Sequence, residues 1–388
     1  MESIVNEIIV VGQDHYNALS VIRSLGKCGV KPIFLLIGKD EGYYASKSRY
    51  IKKCLSVDNE CDVLAYLKKI YKDYKNKPVL IPTGDPIEKL LDQNYDELSK
   101  HYYLPNINNK KGEIIKFMDK TIQEKLCKKY NILTASSYLV NTEDFVFKKS
   151  YPNRVILKPY ISADGKKSDI IIAESKENII AGINKLKKMG YKKVLMQEYL
   201  DYEVEYAMMG MSYKGNVLIP GINSNDYIYP SNRGNTSFAT MFPVKDFEFD
   251  ISNIIKMVED LNYTGLFEIE TFKIRKSLYF NEINFRNSAN LLGYRGDKIN
   301  YILLYVMQVL NMDISSEKKN VTKKFHFCIE THHLKNAIKE KKLSLIKSLY
   351  HIAISTKVIF VISDIKPILY KIKHFINKRL SHGDKNEK

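Results

Sequence analysis

The chain has 388 residues, of which 45% are hydrophobic and 27% charged, and its formal net charge is +17. This length and apolar content predict two or three domains with cores of ordinary size. The charge is uneven, because the 76 residues from Asp313 onward contain 17 Lys/Arg against 7 Asp/Glu and so supply +10 of it. No helix-turn-helix, RNP-type or zinc signature accompanies the lysines, so nucleic acid is not an expected partner.

The first hundred residues alternate between predicted strands and helices. Strands are predicted at 7–11, 31–37 and 78–82, and helices at about 17–28, 61–74 and 87–91. This alternation predicts an α/β arrangement with a parallel sheet covered by helices. Four polar residues follow predicted strands, where open α/β sheets usually bind ligands, although structural turns would explain them almost as well: Asp14, His15, Thr83 and Asp85.

Two lysines in the next part of the chain stand at the ends of predicted elements. Lys120 lies in a helical stretch that opens with Phe117-Met118-Asp119, and Lys158 ends an apolar strand at 154–158. A lysine at the end of a buried strand usually has a specific partner, because burial of an unpaired ammonium group is costly. Both lysines are therefore candidates for binding an anionic ligand.

A short polar loop and a strand follow these lysines. The loop at 162–168, SADGKKS, contains backbone amides and small hydroxyl groups that are able to cradle phosphate, although a run of lysines more commonly marks a solvated face. A helix is then predicted from a cap at Ser175 to a stop at Gly190. After it, residues 194–200 form a predicted strand that runs into a linker.

The segment 265–290, GLFEIETFKIRKSLYFNEINFRNSAN, predicts a hairpin with an unusual placement of acidic residues. Strands at 266–272 and 278–283 reverse through Arg275-Lys276-Ser277. With the turn centred on Lys276, Glu270 lies opposite Glu282 and Glu268 opposite Asn284. Side chains two apart on a strand share a face, so Arg286 is expected on that face as well.

These facing carboxylates predict a bound cation. Two carboxylates about 4 Å apart repel by roughly 4 kcal/mol at an effective dielectric constant near 20. Oxygen ligands of this kind suit magnesium, which proteins usually hold with one or two carboxylates and substrate phosphates. The alternative is a solvated edge hairpin that is acidic by chance, which the apolar flanking positions disfavour.

The glutamate of GLFEIE, followed twelve positions later by the Glu-x-Asn-x-Arg of NEINFR, resembles the magnesium-binding signature of the ATP-grasp superfamily. The resemblance implies ATP and two magnesium ions, or manganese in their place, as cofactors. It implies Glu270, Glu282 and Asn284 as metal ligands, and Arg286 as the contact of phosphate or of an acyl phosphate. Glu268 matches the pattern less well but lies on the same predicted face.

The upstream segments occur in the order of the same superfamily. Lys120 and Lys158 resemble its phosphate-binding lysines, and the loop containing Ser162 and Gly165 resembles its phosphate loop, although it has one glycine where many relatives have several. The strand at 194–200 is similar to the hinge that holds adenine, which implies nucleotide contacts at Gln197, Glu198, Tyr199 and Leu200. Glu205 corresponds to the residue that contacts ribose, with Glu203 as the competing candidate.

The resemblance implies the ATP-grasp fold, α/β overall and α+β in the nucleotide-binding part. It implies a Rossmann-like pre-ATP-grasp domain at 1–110, a nucleotide- and metal-binding domain at 111–312, and a basic, mainly helical C-terminal region at 313–388. The layout is most similar to bacterial carboxylate–amine ligases related to D-aspartate ligase, which act in cell-wall or surface-polysaccharide assembly.

The activity that this resemblance implies is an ATP-dependent ligase. Such an enzyme joins a carboxylate, here expected to be that of an amino acid, to an amine through an acyl phosphate. Arg233 of the SNRGN segment would supply a further cation near that group. Two alternatives are phosphotransfer without ligation and a non-catalytic, membrane-docked nucleotide-binding protein.

The C-terminal tail and the cysteines indicate where in the cell the protein is expected. Residues 366–380, KPILYKIKHFINKRL, alternate apolar and basic side chains, as in an interfacial helix attracted to anionic lipid. A helix packed on its own domain would look similar, and a general richness in Lys, Ile, Asn and Tyr would raise the charge without functional meaning. Five cysteines without CxxC spacing, and an N-terminus without a signal-peptide pattern, predict a cytoplasmic protein, with the membrane as a peripheral site. His332 and His333 show no ligand spacing and are expected at the surface.

Overall fold

The computed structural model describes residues 4–38, 44–161, 169–231 and 234–383 of the chain. Its first sheet is parallel, with strand order β3-β2-β1-β4. The elements around it are β1 (Ile8–Gln13), α1 (Tyr16–Gly26), β2 (Ile33–Ile37), β3 (Lys53–Val57), α2 (Glu60–Ile70), β4 (Val79–Pro82), α3 (Asp85–Gln93) and α4 (Tyr95–Leu98). The predicted parallel sheet is thus confirmed, with β3 as an additional edge strand.

The second sheet is antiparallel, with order β7-β10-β8-β9. The elements of this part are β5 (Asn106–Ile107), α5 (Glu113–Met118), α6 (Lys120–Lys129), β6 (Leu133–Thr134), β7 (Ser137–Asn141), β8 (Val155–Lys158), β9 (Ile171–Ala173), α7 (Lys176–Lys188) and β10 (Lys193–Glu198). The helical stretch predicted around Asp119 is two helices, because Asp119 is extended and its carboxylate accepts the backbone N–H of Thr121, which caps α6. α7 begins at the predicted Ser175 cap.

The third sheet has ten strands and contains the acidic hairpin. Its main order is β18-β17-β14-β13-β11-β15-β16-β6, with β12 beside β11 and β5 beside β15. The remaining elements are β11 (Val204–Tyr213), β12 (Asn216–Leu218), β13 (Ile222–Tyr229), β14 (Asn235–Phe242), α8 (Ser252–Asp260), β15 (Tyr263–Ile274), β16 (Ser277–Asn284), α9 (Tyr301–Val309), β17 (Phe325–Cys328), α10 (Glu330–Ile338), α11 (Leu345–Ile354), β18 (Thr356–Lys357) and α12 (Lys366–Gly383).

The basic C-terminal region packs against the rest of the molecule. β17 pairs with β14 and β18 with β17, so this region completes one edge of the third sheet. The first turns of α12 lie on the N-terminal part, because Ile368 packs against its core and Lys371 lies over the ring of Tyr44 at 4.2 Å. His333 is fully buried, so the expectation of a surface residue was wrong. None of the helices that the structure describes is long and apolar enough to cross a membrane.

A buried ion pair ties the C-terminal region to α1. The side chains of Arg23 and Asp364 are both 0% exposed, and Arg23 Nε lies 2.9 Å from Asp364 Oδ2. The other guanidinium nitrogens donate to the backbone oxygens of Val358, Ile359 and Asp364 at 2.9–3.0 Å. The carboxylate also accepts hydrogen bonds from the Ser48 hydroxyl and the backbone N–H of Arg49. Both buried charges are therefore surrounded by hydrogen-bond partners, which such a pair requires.

We expect Arg23→Leu to lower the free energy of unfolding by about 3–5 kcal/mol, because it leaves the Asp364 carboxylate buried without its partner. Urea-induced unfolding followed by circular dichroism would measure this. Lys256→Ala, which breaks the exposed pair between Lys256 and Asp260, is the control and should cost at most about 1 kcal/mol. Equal losses in the two variants would contradict a special role for the buried pair.

Candidate functional site

A cavity of about 640 Å³ lies where the three sheets meet. The sequence-predicted site residues that line it are Lys120, Lys158, Gln197, Glu198, Tyr199, Leu200, Glu205, Glu270, Glu282, Asn284 and Arg286. Ser162, Gly165 and Arg233 lie outside the described residues. Eleven side chains singled out along some 170 residues of chain therefore line one cavity.

The predicted register of the acidic hairpin is confirmed, although its turn differs. Glu270 pairs with Glu282 and Glu268 with Asn284. The turn is one residue shorter than predicted, because Ile274 already pairs with Ser277 and Arg275 takes a positive φ of 54°. A β-bulge then restores the register: Thr271 pairs with Phe280 and Glu270 with Glu282, which leaves Asn281 without a cross-strand partner.

The bulged Asn281 takes part in the site. Its side-chain amide donates to Glu270 Oε2 at 3.1 Å. Both residues line the cavity. The bulge thus does more than correct the register, because it also provides a hydrogen bond that orients one of the two facing carboxylates.

Two lysines from other elements balance the charge of the hairpin. Lys120 Nζ lies 2.5 Å from Glu282 Oε2, and its backbone N–H donates to the carbonyl oxygen of Tyr160 just beyond β8. Lys158, at the end of β8, is itself buried. Burial works to raise the pKa of Glu282, but the positive charges of Lys120 and Lys158 outweigh it and lower that pKa to about 2. The carboxylate is therefore ionised at any ordinary pH.

The same surroundings disfavour the charged form of the second lysine, Lys158. Burial, and after it the positive charge of Lys120, lower the pKa of Lys158 to about 8. The carboxylates of Glu282 and Glu270 act against this shift but do not cancel it. The ammonium group of Lys158 is thus poised to gain from a further negative charge in the cavity.

The donor set of the hairpin fits a hard divalent cation. Glu270, Glu282 and the buried Asn284 offer carboxylate and amide oxygens on one face, which are the ligands that magnesium prefers. Within the described ranges, no group of three or more His, Cys, Asp or Glu is arranged to hold a metal. A metal at this site would thus need the side-chain amide oxygen of Asn284, and oxygen atoms from a bound ligand, as further ligands.

Part of the cavity lining is apolar and includes an extended backbone edge. Its apolar lining comes mainly from Ala135, Ile156, Ile170, Ile172, Phe272 and Phe280. The segment from Gln197 to Leu200 follows as an extended edge at the end of β10. Arg154 braces this edge, because its guanidinium lies 3.8 Å from the centre of the Tyr199 ring and 2.6 Å from Asp201.

The structure separates the two candidates for a ribose contact. Glu205 lines the cavity, where Oε1 accepts a hydrogen bond of 2.6 Å from the side-chain amide of Asn225. Glu203 is exposed and accepts the backbone N–H of Arg275 in the hairpin turn at 3.0 Å. Of the two, only Glu205 is placed to meet a ligand in the cavity.

Arg286 connects the hairpin to the first sheet. Its Nε lies 2.8 Å from Asp85 Oδ1, at the start of α3, and its Nη1 lies 3.7 Å from Glu268 Oε2. Glu268 also accepts a hydrogen bond from the Ser288 hydroxyl. Glu268 is therefore engaged with Arg286 and Ser288, on the same face of the hairpin as Glu270 and Glu282.

Another part of the cavity lining is polar. Of the residues expected at strand ends of the first sheet, His15, Thr83 and Asp85 line it, whereas Asp14 is buried against Ser46. Burial, and then nearby positive charges, lower the pKa of His15 to about 4, so it is neutral at physiological pH. Further lining residues that the sequence analysis missed are Tyr16, Asn17, Asn225, Asn235, Thr236, Ser288 and Asn290.

Some of these missed residues had a signal in the sequence. Ser288 and Asn290 directly follow the NEINFR motif, so their position was open to prediction. Asn225 and Thr236 had none, because they reach the cavity through the pairing of β13 with β14. There they form a chain of hydrogen bonds, in which Asn290 Nδ2 donates to the Thr236 hydroxyl and that hydroxyl donates to Asn225 Oδ1, each at 2.8 Å.

No protein-family model matches the chain, and no curated protein matches it by sequence. Solved structures do resemble it. L-amino acid ligase from Bacillus licheniformis is 13% identical with a TM-score of 0.65, over 84% of this chain and 80% of its own. N5-carboxyaminoimidazole synthetase from Staphylococcus aureus, complexed with ADP, is 13% identical with a TM-score of 0.63, over 87% of this chain and 86% of its own.

A third structure belongs to a carboxylase. The biotin carboxylase domain of Hydrogenobacter thermophilus 2-oxoglutarate carboxylase, in complex with MgADP, ADP and bicarbonate, is 14% identical with a TM-score of 0.62, over 83% of this chain and 74% of its own. All three proteins have the ATP-grasp architecture, and the similarity extends over more than four fifths of this chain. The chain therefore has the ATP-grasp fold, as its motifs predict.

Proposed function

We propose that this protein is an ATP-dependent ligase that joins a carboxylate to an amine through an acyl phosphate. The observation that carries the proposal is the charge arrangement of one cavity. Two facing carboxylates, Glu270 and Glu282, lie beside Lys120 and Lys158 at the centre of the cavity. On one side of them is an apolar slot with an extended edge, and on the other a polar pocket.

The apolar slot supports a nucleotide site. A purine base would fit between its aliphatic and aromatic side chains. The backbone at Leu200, beyond the N–H groups of Glu198 and Tyr199 that donate to Ser136 and Arg154, would offer hydrogen bonds to the edge of the base. Glu205 lies where it would meet the ribose. Lys120 and Lys158 would then bind phosphates, as would the loop with Ser162 and Gly165. Two of the structures with this fold were solved with ADP, which agrees with a nucleotide-binding site in this protein.

The metal site would be formed by Glu270, Glu282 and Asn284. Magnesium, or manganese in its place, would neutralise part of the phosphate charge when bound there. Glu282 suits this role because it stays ionised, and Asn281 holds Glu270 in place. The ammonium group of Lys120 contacts Glu282, so positive charge is already present beside these oxygens.

The chemistry follows from what a carboxylate lacks. A carboxylate is a poor electrophile, so one of its oxygens first attacks the γ-phosphorus of ATP, which gives an acyl phosphate and ADP. The amine then attacks the carbonyl carbon, loses a proton, and phosphate leaves. The protein contributes position and charge balance. Arg286, which lies between Asp85 and Glu268, would face the acyl phosphate, and Arg233 would add a second cation.

The polar pocket supports small substrates. Its neutral His15 and its amide and hydroxyl groups, from Asn235, Thr236 and Asn290, offer hydrogen bonds without a strong net charge. An amino acid is the carboxylate substrate that we favour, and one of the neighbouring structures is an L-amino acid ligase. A role in cell-wall or surface-polysaccharide synthesis is part of the proposal, and rests on the sequence resemblance to D-aspartate ligase-like enzymes.

Phosphate release from ATP and magnesium, with a panel of amino acids and with or without amines, tests this function. We expect release that depends on both substrates, and a loss of about 100-fold or more in Glu282→Gln, because a neutral amide cannot balance the charge of the metal. Glu203→Gln, outside the cavity, is the control and should stay near wild type.

Other outcomes of this assay point to other functions. A stable phosphorylated product without an amine would indicate phosphotransfer. ATP binding without turnover would indicate a non-catalytic nucleotide-binding protein. Wild-type rates in a folded Glu282→Gln variant would refute the metal assignment.

The lowered pKa of Lys158 predicts a pH dependence of nucleotide binding. As the pH rises through about 8, the empty site loses the charge of this ammonium, and a bound phosphate would restore it. ATP binding at a pH just above 8 should therefore take up part of a proton, and affinity should fall as the pH rises further.

Titration calorimetry in buffers of different ionisation enthalpy measures this uptake. Lys158→Met should abolish it and weaken binding, whereas Lys256→Met, at an exposed site, should change neither. An unchanged proton uptake in Lys158→Met would show that Lys158 does not bind the phosphates and that its role is structural.

The C-terminal helix α12 carries the proposal of a peripheral membrane site. Lys366 and Lys373 are exposed on it, as are Leu369 and Ile372. Basic residues beside apolar ones favour an anionic lipid surface. The packing of Ile368 and the contact of Lys371 with Tyr44 support the alternative for the first turns, namely a helix held on its own protein.

If α12 binds the membrane, Lys366→Glu with Lys373→Glu should weaken sedimentation with vesicles that contain anionic lipid, and added salt should weaken it in the wild type. Charge reversal is preferable to truncation after Ser363, because truncation would remove Asp364 and leave Arg23 buried without its partner. Undiminished binding of the charge-reversed protein would exclude α12 as the attachment site.

A further inference from the structure

The helix α11 (Leu345–Ile354) is amphipathic with its faces inverted. Its inward side is polar: Ser348 is fully buried and its hydroxyl donates to the backbone oxygen of His333 at 3.3 Å. One turn further on, His351 Nδ1 lies 3.0 Å from His333 Nε2. Ser355, at the C-terminal end of the helix, is buried too. These three residues follow each other at helical spacing, so they define one face.

The outward side of the same helix is apolar. Its large hydrophobic side chains are between 47 and 82% exposed, and they are Leu345, Ile346, Leu349, Tyr350 and Ile354. At 100° per residue these positions cover one continuous half of the helix. Single exposed hydrophobic residues are normal on a protein surface, whereas a contiguous apolar face indicates an interaction site.

Buried polar contacts hold the inward face, so the exposed apolar face is a fixed feature of the fold. The ring of His351 stacks on the ring of Phe238 in β14 with 4.3 Å between the ring centres. His333, which belongs to α10, stacks on the same phenyl ring. The hydroxyl of Ser237 contacts His333 Nδ1 at 3.3 Å. Rotation of α11 to bury its apolar side would break these hydrogen bonds and expose polar groups that now have partners.

The residues next to this face are basic. Lys339, Lys341, Lys342 and Lys347 are all exposed within nine residues of chain, and Ile338 beside them is exposed as well. The acidic residue in this stretch, Glu340, accepts the backbone N–H of Ser231 at 3.0 Å. The surface therefore combines an apolar strip with a cluster of positive charges, a pattern that is complementary to anionic lipid.

We propose that the apolar face of α11 is a membrane-docking surface for anionic lipid, which lies in the headgroup region parallel to the membrane plane. A helix of ten residues is about 15 Å long, too short to span a bilayer but sufficient to lie in its interface. Tyr350 on the exposed side suits this depth, because tyrosine side chains favour the membrane–water boundary. The site is distinct from α12 and does not depend on the ligase activity.

The test uses full-length protein sedimented with vesicles of phosphatidylcholine alone or mixed with phosphatidylglycerol. We expect binding to the mixed vesicles only, weakened by salt. Ile346→Ser with Leu349→Ser should reduce it at least about tenfold, since both side chains would leave lipid. Both residues are exposed, so the variant should keep the wild-type thermal unfolding and ATP affinity.

Two matched variants serve as controls. Leu139→Ser with Val146→Ser removes comparably exposed side chains from the second-sheet region and should leave vesicle binding unchanged. Leu369→Ser with Ile372→Ser makes the same change on α12, and should reduce binding less than the α11 variant does.

Three results would overturn the proposal. The first is wild-type protein that stays in solution with anionic vesicles at low salt. The second is an α11 variant that binds as well as wild type while the α12 variant does not. The third is a wild-type dimer in light scattering that the α11 variant converts to a monomer without a change in vesicle binding, which would make the face a contact between two copies of the chain.

Discussion

The site depends on the balance between two carboxylates that face each other and the lysines that lie beside them. Glu270 and Glu282 would repel across the hairpin on their own, and like charges opposite each other destabilise a ladder. Lys120 and Lys158 come from α6 and β8, so the hairpin is compensated only when these elements have packed onto it. The charge balance therefore couples the cavity to the assembly of the second and third sheets. The lowered pKa of Glu282, which keeps the carboxylate charged, and the lowered pKa of Lys158, which disfavours the charged ammonium, are two results of this one arrangement.

The first sheet is joined to the same site through polar contacts. Arg286, directly after β16, pairs with Asp85 at the start of α3, and the next residue, Asn287, exchanges hydrogen bonds with Asn17 of α1. The carboxyl edge of the parallel sheet thus forms a wall of the cavity, where ligands of open α/β sheets are expected. Towards the other edge of the third sheet, β14 pairs with β17 of the C-terminal region. The Arg23–Asp364 ion pair connects that region to α1.

Local patterns predicted the fold and many of the candidate site residues, because the hairpin motif, the βα alternation and the lysines at element ends are all visible within short segments. Contacts between distant segments were not predictable in this way. Nothing near Asp85 indicates Arg286, which is 201 positions further on, and nothing near Asn225 indicates Glu205 across a strand pair. The burial of His333 was missed because its partners, Ser237 and His351, lie on other elements. The strand β3 was missed because it is an edge strand with little apolar character.

The bulge at Asn281 has a consequence for how the hairpin tolerates change in its length. It lies between the turn and the facing carboxylates, so the pairing of Glu270 with Glu282 is set on one side of it and the geometry of the turn on the other. Loss of the bulge would absorb a residue inserted into the two-residue turn, and the carboxylates would keep their partners and their face. The pairing of the two carboxylates, although not the contact of the bulged Asn281 with Glu270, would in this way be preserved after an insertion at the tip, where chains most readily gain or lose residues. The hairpin tip is therefore able to vary in length while Glu270 and Glu282 stay paired.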